Sequence, residues 1–151
     1  MSITLDIKTT VKTKVSKSFL RKIAREVLDI VGIKKGAEIS LLLVGENRMR
    51  TLNRQYRRQN CITDVLTFSQ IESRKHFVTP KIEFLPLGDI IICYPQAKRQ
   101  AKRFGHSVLH EVAILFIHGL LHLLGINHEI SQKKAKRMME LERKIIRKLN
   151  L

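Results

Sequence analysis

Three histidines, His118, His122 and His128, fall four and then six residues apart in HGLLHLLGINHE, a stretch otherwise almost entirely apolar. Imidazole is the commonest protein ligand for zinc and its transition-metal neighbours, so this spacing raises the prospect of a metal centre. In an α-helix, positions i and i+4 lie about 40° apart around the axis and roughly 6 Å along it, so His118 and His122 can face one point. If the helix simply continued, His128 would sit roughly 15 Å along the axis from His118, far outside a coordination shell of about 2 Å. Gly125 removes the difficulty. A glycine there takes the left-handed conformation that ends a helix, and the chain can fold back to present His128 to the same point. With no metal, up to three imidazoles on an apolar segment would each need a buried partner. Three neutral nitrogens leave a fourth position for water, the pattern of a catalytic rather than a structural zinc site.

The arrangement departs from the HExxH zinc proteases, in which the residue after the first histidine is the glutamate base. Here that residue is Gly119. Activation of a nucleophile must therefore rest on the metal or on an acid from elsewhere. Glu111 precedes His118 by about 10 Å of helical rise and suits a supporting or structural role better than that of a base. His106 and His110 read as ordinary helix residues.

The elements that must hold these residues follow from periodicity. Ile3, Leu5 and Ile7 alternate with polar residues, predicting a half-exposed strand, and Ile39–Val44 is a short apolar run that predicts a buried one. Helical spacing of Phe19, Leu20, Ile23, Val27, Leu28 and Val31 predicts a helix over 17–31, with Gly32 just past its end. A second helix is expected over 46–58, with Met49, Leu52 and Tyr56 inward. TDVLTF (63–68) and LGDIIIC (87–93) read as strands, and 69–86 between them as a long loop. Three further helices are expected: one after Pro95, one over about 107–124, and one over 131–149 with Met138, Leu141, Ile145 and Leu149 inward. The order β-α-β-α-β-β-α-α-α predicts an α+β fold, with residues 1–151 as one domain in which helices cover a single mixed sheet. The candidate metal site falls at the C-terminal end of a buried helix.

Charge is the unusual feature of the composition. Twenty-nine Lys and Arg oppose thirteen Asp and Glu, a formal net charge of +16. An excess this large in one small domain points to a polyanionic partner, with nucleic acid first. Lys98, Arg99, Lys102 and Arg103 precede the histidine helix, and Lys133, Lys134, Lys136 and Arg137 follow it, so a basic rim that binds phosphates without reading sequence is expected. Aromatics are only 5% of the chain, and Tyr56, Phe68 and Phe104 are assigned to the core rather than to base stacking. Cys61 and Cys93 form no CxxC pair, which suits a reducing compartment. Asp6 interrupts the apolar run a signal peptide would need, and the 17 residues of 108–124 fall short of the roughly 20 that span a bilayer. A cytoplasmic protein with no membrane partner is expected.

HGLLHLLGINH, with TDVLTF and LGDIII upstream, resembles the YbeY family of bacterial metal-dependent endoribonucleases. The family pattern is approximately HGxLHLxGYDH, preceded by NxxYRxxDxPTDVLSF and LGDI. The likeness runs in order from about residue 39 to 129. It implies an α+β fold, one zinc-type ion per chain (nickel or another divalent transition metal would also suit), and cleavage of single-stranded RNA. It further implies roles in 16S ribosomal RNA maturation and ribosome quality control, with ribosomal RNA and ribosomal particles as partners. Position by position, the metal ligands fall on His118, His122 and His128, and the family's functionally important arginine on Arg57. Arg58, Thr63, Asp64 and Asp89 are candidate substrate contacts. Asn127 stands where the family usually has Asp, and as a partner of the third ligand it can accept an imidazole N–H but adds no negative charge. Gln59 and Asn60 replace Lys-Asp, Ile62 replaces Pro, and Thr67 replaces Ser. None of these touches the ligands or Arg57.

Three functions are thus in contention. A metal-dependent ribonuclease fits the histidines and the charge together. A metallopeptidase fits the histidine geometry, but Gly119 and the net charge count against it. A ribosomal RNA-binding assembly factor with a structural metal would share every feature except turnover.

Overall fold

In the computed structural model, residues 2–73, 84–126 and 132–151 are described. Alternating residues in the first strand and continuous apolar runs in the central ones give four strands among the described residues. They are β1 (Ile3–Thr9), β2 (Gly36–Val44), β3 (Val65–Ser69) and β4 (Phe84–Cys93), in the sheet order β1-β2-β4-β3. The first three in that order run parallel, and β3 pairs antiparallel with β4 at one edge. Odd-numbered residues of β1 and β2 (Leu5, Ile39, Leu41, Leu43) and Ile90 and Ile92 of β4 point to one face and form the main core. The opposite face carries Val44, Leu66, Ile91 and Cys93, a smaller apolar cluster.

Among the described residues there are also six helices: α1 (Lys17–Ile30), α2 (Glu46–Arg57), α3 (Gln70–Ser73), α4 (Tyr94–Phe104), α5 (Val108–Leu123) and α6 (Gln132–Lys148). Helices α1, α5 and α6 cover the main face, and α2 covers part of the other through Met49 and Leu52. Ser16 and Ser107 start α1 and α5 by accepting N–H bonds from Phe19 and His110, each satisfying a donor that has no partner inside the helix. Helix α5 is nearly apolar all round because the core surrounds it: Val112, Phe116, Ile117, Leu120 and Leu121 are fully buried. Each such side chain contributes about 1.5–3 kcal/mol of burial, enough to fix this helix against the sheet. Among the described residues no single helix is long and apolar enough to cross a membrane.

The expected order of elements holds, with local corrections. Strand β3 begins at Val65 rather than Thr63, and just before it the Asp64 carboxylate accepts from the Val65 N–H at 2.8 Å. The expected loop contains α3 and the first residues of β4, while its residues 74–83 lie outside the described part. Gly88 explains how β4 passes β3 so closely. It sits at φ +134°, and a Cβ there would lie 2.0 Å from the Phe68 carbonyl oxygen. His106 is not in a helix. Gly105 ends α4, and His106 lies in the turn before α5. Tyr56 and Phe104, assigned to the core by spacing, are 57% and 61% exposed. Both stand in the last turn of a helix, where the core that buried the earlier turns gives out.

Candidate active site

The C-terminal end of α5 is built by its own closing turn. Gly125, at φ +78°, sends its N–H to the His122 carbonyl at 3.0 Å, and the Ile126 N–H reaches Leu121 at 2.9 Å. These are the two bonds of a Schellman ending, which only a left-handed residue at that position permits. The glycine read from sequence as a helix breaker is one. His128 and Asn127, the expected third ligand and its neighbour, lie outside the described residues.

His118 and His122 stand one turn apart and face one point. Their Nε2 atoms are 2.9 Å apart, and the rings meet edge to face with centroids 4.5 Å apart. At that separation an Nε2–H of His122 can donate to the Nε2 lone pair of His118, and with both nitrogens unprotonated the same two atoms could hold a metal ion between them. The Nδ1 of His118 donates to Oε1 of Glu142 on α6 at 2.6 Å. That bond puts the proton on Nδ1 and the lone pair on Nε2, the tautomer a metal ligand needs. The donor set thus fits a zinc-type ion as far as it is described. No group of three His, Cys, Asp or Glu converges among the described residues, so His128 would have to complete it.

Glu142 escaped the sequence reading. It flanks the inward stripe of α6, four residues after Met138 and three before Ile145, both buried, so the available signal was a carboxylate bordering an apolar face. Gly119 is explained too. A Cβ there would sit 2.9 Å from Cγ2 of Ile90. The position where a zinc protease carries its base is pressed against β4, and no carboxylate fits it.

Strand β3 joins this end of α5 to Arg57. The Ser69 hydroxyl donates to the Leu123 carbonyl at 3.1 Å, which ties the end of β3 to the residue after His122. Two residues earlier, the Thr67 carbonyl accepts from Nη2 of Arg57 at 2.9 Å. The guanidinium lies 5.8 Å above the Phe68 ring, and Tyr56 meets the same ring edge-on at 5.2 Å. Arg57 is exposed, so one nitrogen of its fork is anchored and the remaining donors can take an anion.

The other candidates are more scattered. Arg58 follows α2 in the left-handed conformation, φ 56°, and is exposed. Thr63 is half-buried, and Asp64 holds the opposite end of β3, roughly 16 Å along the strand from Ser69 at ordinary strand rise. Asp89 lies on the sheet face away from α5, in a cavity lined also by Thr4, Asp6, Glu38, Ser40 and Gln70. Glu111 is structural. It is 3% exposed and accepts from Gln100 at 2.8 Å and from the ring of His106. Of the expected basic rim, Arg99 pairs with Glu46. Cys93 is buried, and that burial pushes its thiol pKa up.

The family described as Endoribonuclease YbeY matches residues 3–150. Curated proteins named Endoribonuclease YbeY are similar over most of their length. The one from Dehalococcoides mccartyi (strain CBDB1) is 40% identical over 142 residues, 89% of this chain and 86% of its own. That of Heliobacterium modesticaldum is 41% identical over 138 residues, 87% and 82% of the two chains. The solution structure of TM1509 from Thermotoga maritima superposes with a TM-score of 0.61 at 27% identity, covering 96% of this chain and 88% of that one.

Proposed function

The chain belongs to the endoribonuclease YbeY family, and from that premise we propose that it cleaves single-stranded RNA at one zinc-type ion held by His118, His122 and His128. The observation that carries this reading is the convergence of the His118 and His122 Nε2 atoms at 2.9 Å, near the C-terminal end of a helix whose middle is buried in the core. Such an ion, when bound, acts as a Lewis acid toward the phosphoryl oxygens. The remaining work falls to the chain itself. Arg57, steadied by the Thr67 carbonyl and the Phe68 ring, offers a planar fork to the non-bridging oxygens as charge builds on them. Glu142 holds the proton of His118 at Nδ1. The excess of cationic side chains, +16 overall, draws in the polyanion and neutralises phosphates along it. Ribosomal RNA in assembling particles is the proposed substrate, with 16S maturation and ribosome quality control as the setting and the cytoplasm as the location.

The test is to incubate metal-loaded protein with single-stranded RNA, duplex RNA and a panel of peptides, beside a His122→Ala control. Cleavage of the single strand alone, lost in the control, is the expected result. A 2′,3′-cyclic phosphate at the new end would mark the RNA's own 2′-hydroxyl as nucleophile, and a 3′-hydroxyl paired with a 5′-phosphate would mark water. Peptide cleavage, or RNA cleavage that survives the substitution, would refute the reading.

A further inference from the structure

The carboxylate on α6 reaches across 24 residues of sequence to the first of the two converging imidazoles, 2.6 Å from its Nδ1. We infer that Glu142 is a positioning residue that sets the tautomer and ring orientation of His118, and with them the affinity of the site for a divalent transition metal; this rests on the metal reading above. An ionised carboxylate can only accept, so Nδ1 must carry the proton, and the neutral ring then presents its lone pair at Nε2. That is the atom facing His122. A hydrogen bond of this kind also raises the basicity of the ligating nitrogen and holds the ring plane against rotation.

The supporting structure is rigid where it needs to be. Met138 and Ile145, one turn either side of Glu142, are 2% and 0% exposed, so the backbone beneath the carboxylate is fixed by the core. The two side chains are themselves 31% and 24% exposed, shielded enough for a charge-assisted bond to exceed a surface ion pair. Arg143 and Lys144, which follow Glu142, are both exposed, whereas the Glu142 carboxylate is half-buried and directed at His118. A simple tie between α5 and α6 would need only a hydrogen bond. Control of the metal needs the proton at one stated atom.

The experiment measures zinc affinity of the full chain by chelator competition, for wild type, Glu142→Gln, Glu142→Ala and His122→Ala. Thermal melts of each apo protein run alongside, with ¹⁵N spectra of the His118 ring. Loss of a ligand's hydrogen-bonded partner typically weakens metal binding about 10–100-fold, the range expected for Glu142→Ala. Glu142→Gln keeps an acceptor of the same size, so it should lose less affinity and retain the Nδ1–H form, whereas Glu142→Ala should shift His118 toward Nε2–H. Wild-type protein that binds no zinc would sink the metal reading itself. Wild-type affinity in both Glu142 variants, beside a His122→Ala that binds none, would sink this inference alone, as would a lower melting temperature with unchanged zinc affinity. Should Glu142→Ala fail to fold, the isosteric glutamine variant decides, and a zinc affinity equal to wild type in it would overturn the proposal.

Discussion

Helix α5 carries a histidine–glutamate pair at each end, and the two pairs do different work. At its start, His106 bonds to Glu111, the His106 ring stacks on His110 at 4.4 Å, and Gln100 fills another position on the carboxylate. Glu111 has a 4% exposed side chain there, and the cluster closes the corner between α4 and α5. At its end, His118 bonds to Glu142 through Nδ1, and its Nε2 is left facing a second imidazole nitrogen. The same two residue types make a joint in one place and, in the reading proposed above, a metal donor set in the other. What separates them is where the histidine's other nitrogen points and how far the carboxylate is shut from water.

The largest expected effect breaks that comparison directly. His118→Ala or His122→Ala should remove the metal and lower turnover at least as far as the ~10²–10³-fold typical of losing one transition-state donor. His106→Ala should leave metal content and turnover intact. Its cost is to stability, because Glu111 loses a partner in a buried setting, on the order of 1–3 kcal/mol. Elemental analysis, single-turnover rates and denaturant melts separate these outcomes. A His106 variant that loses metal would show that the two ends of α5 are not independent.

Arg57 sharpens the same contrast, because it is linked through β3 to the C-terminal end of α5. Arg57→Ala should cut the chemical rate by about 10²–10³ at saturating RNA while leaving metal content unchanged. Arg57→Lys should restore only part of it, since a point charge replaces a planar fork that uses one side for Thr67 and the other for phosphate.

Local signals carried much of this to the sequence level. The i, i+4 histidines, the closing Gly125 and the apolar α5 all follow from spacing within one helix, and each is found as expected. Glu142 was not legible, because its contact with His118 is tertiary and no helical period relates the two. Tyr56 misled for a related reason. Its spacing from Met49 and Leu52 is that of an inward stripe, but at the end of α2 it meets the edge of the Phe68 ring and stays 57% exposed. His106 was placed in a helix because nothing in HSVLH announces that Gly105 has already ended one. Spacing describes a helix against itself, and it fails where the helix stops or where a second element arrives.

The smallest expected effect belongs to Arg58, one residue from Arg57 and pointed differently by the backbone. Arg57 ends α2 with helical geometry, whereas Arg58 sits at φ 56°, which turns its side chain away from the direction the helix would have given it. No described contact ties it to β3 or to the end of α5. It should therefore act as one cation among many: its loss lowers RNA affinity and reduces the slope of log K against log salt by roughly one phosphate's worth, about 0.7 for a single strand. Alanine is strained at a left-handed position, so Arg58→Asn is the cleaner variant, removing the charge while tolerating that conformation. Turnover at saturating RNA should stay at the wild-type level, because a rim cation acts before the chemistry and not during it. Equal rate defects at positions 57 and 58 would mean that the anchor on Thr67 confers nothing, and the catalytic role of Arg57 would have to be withdrawn.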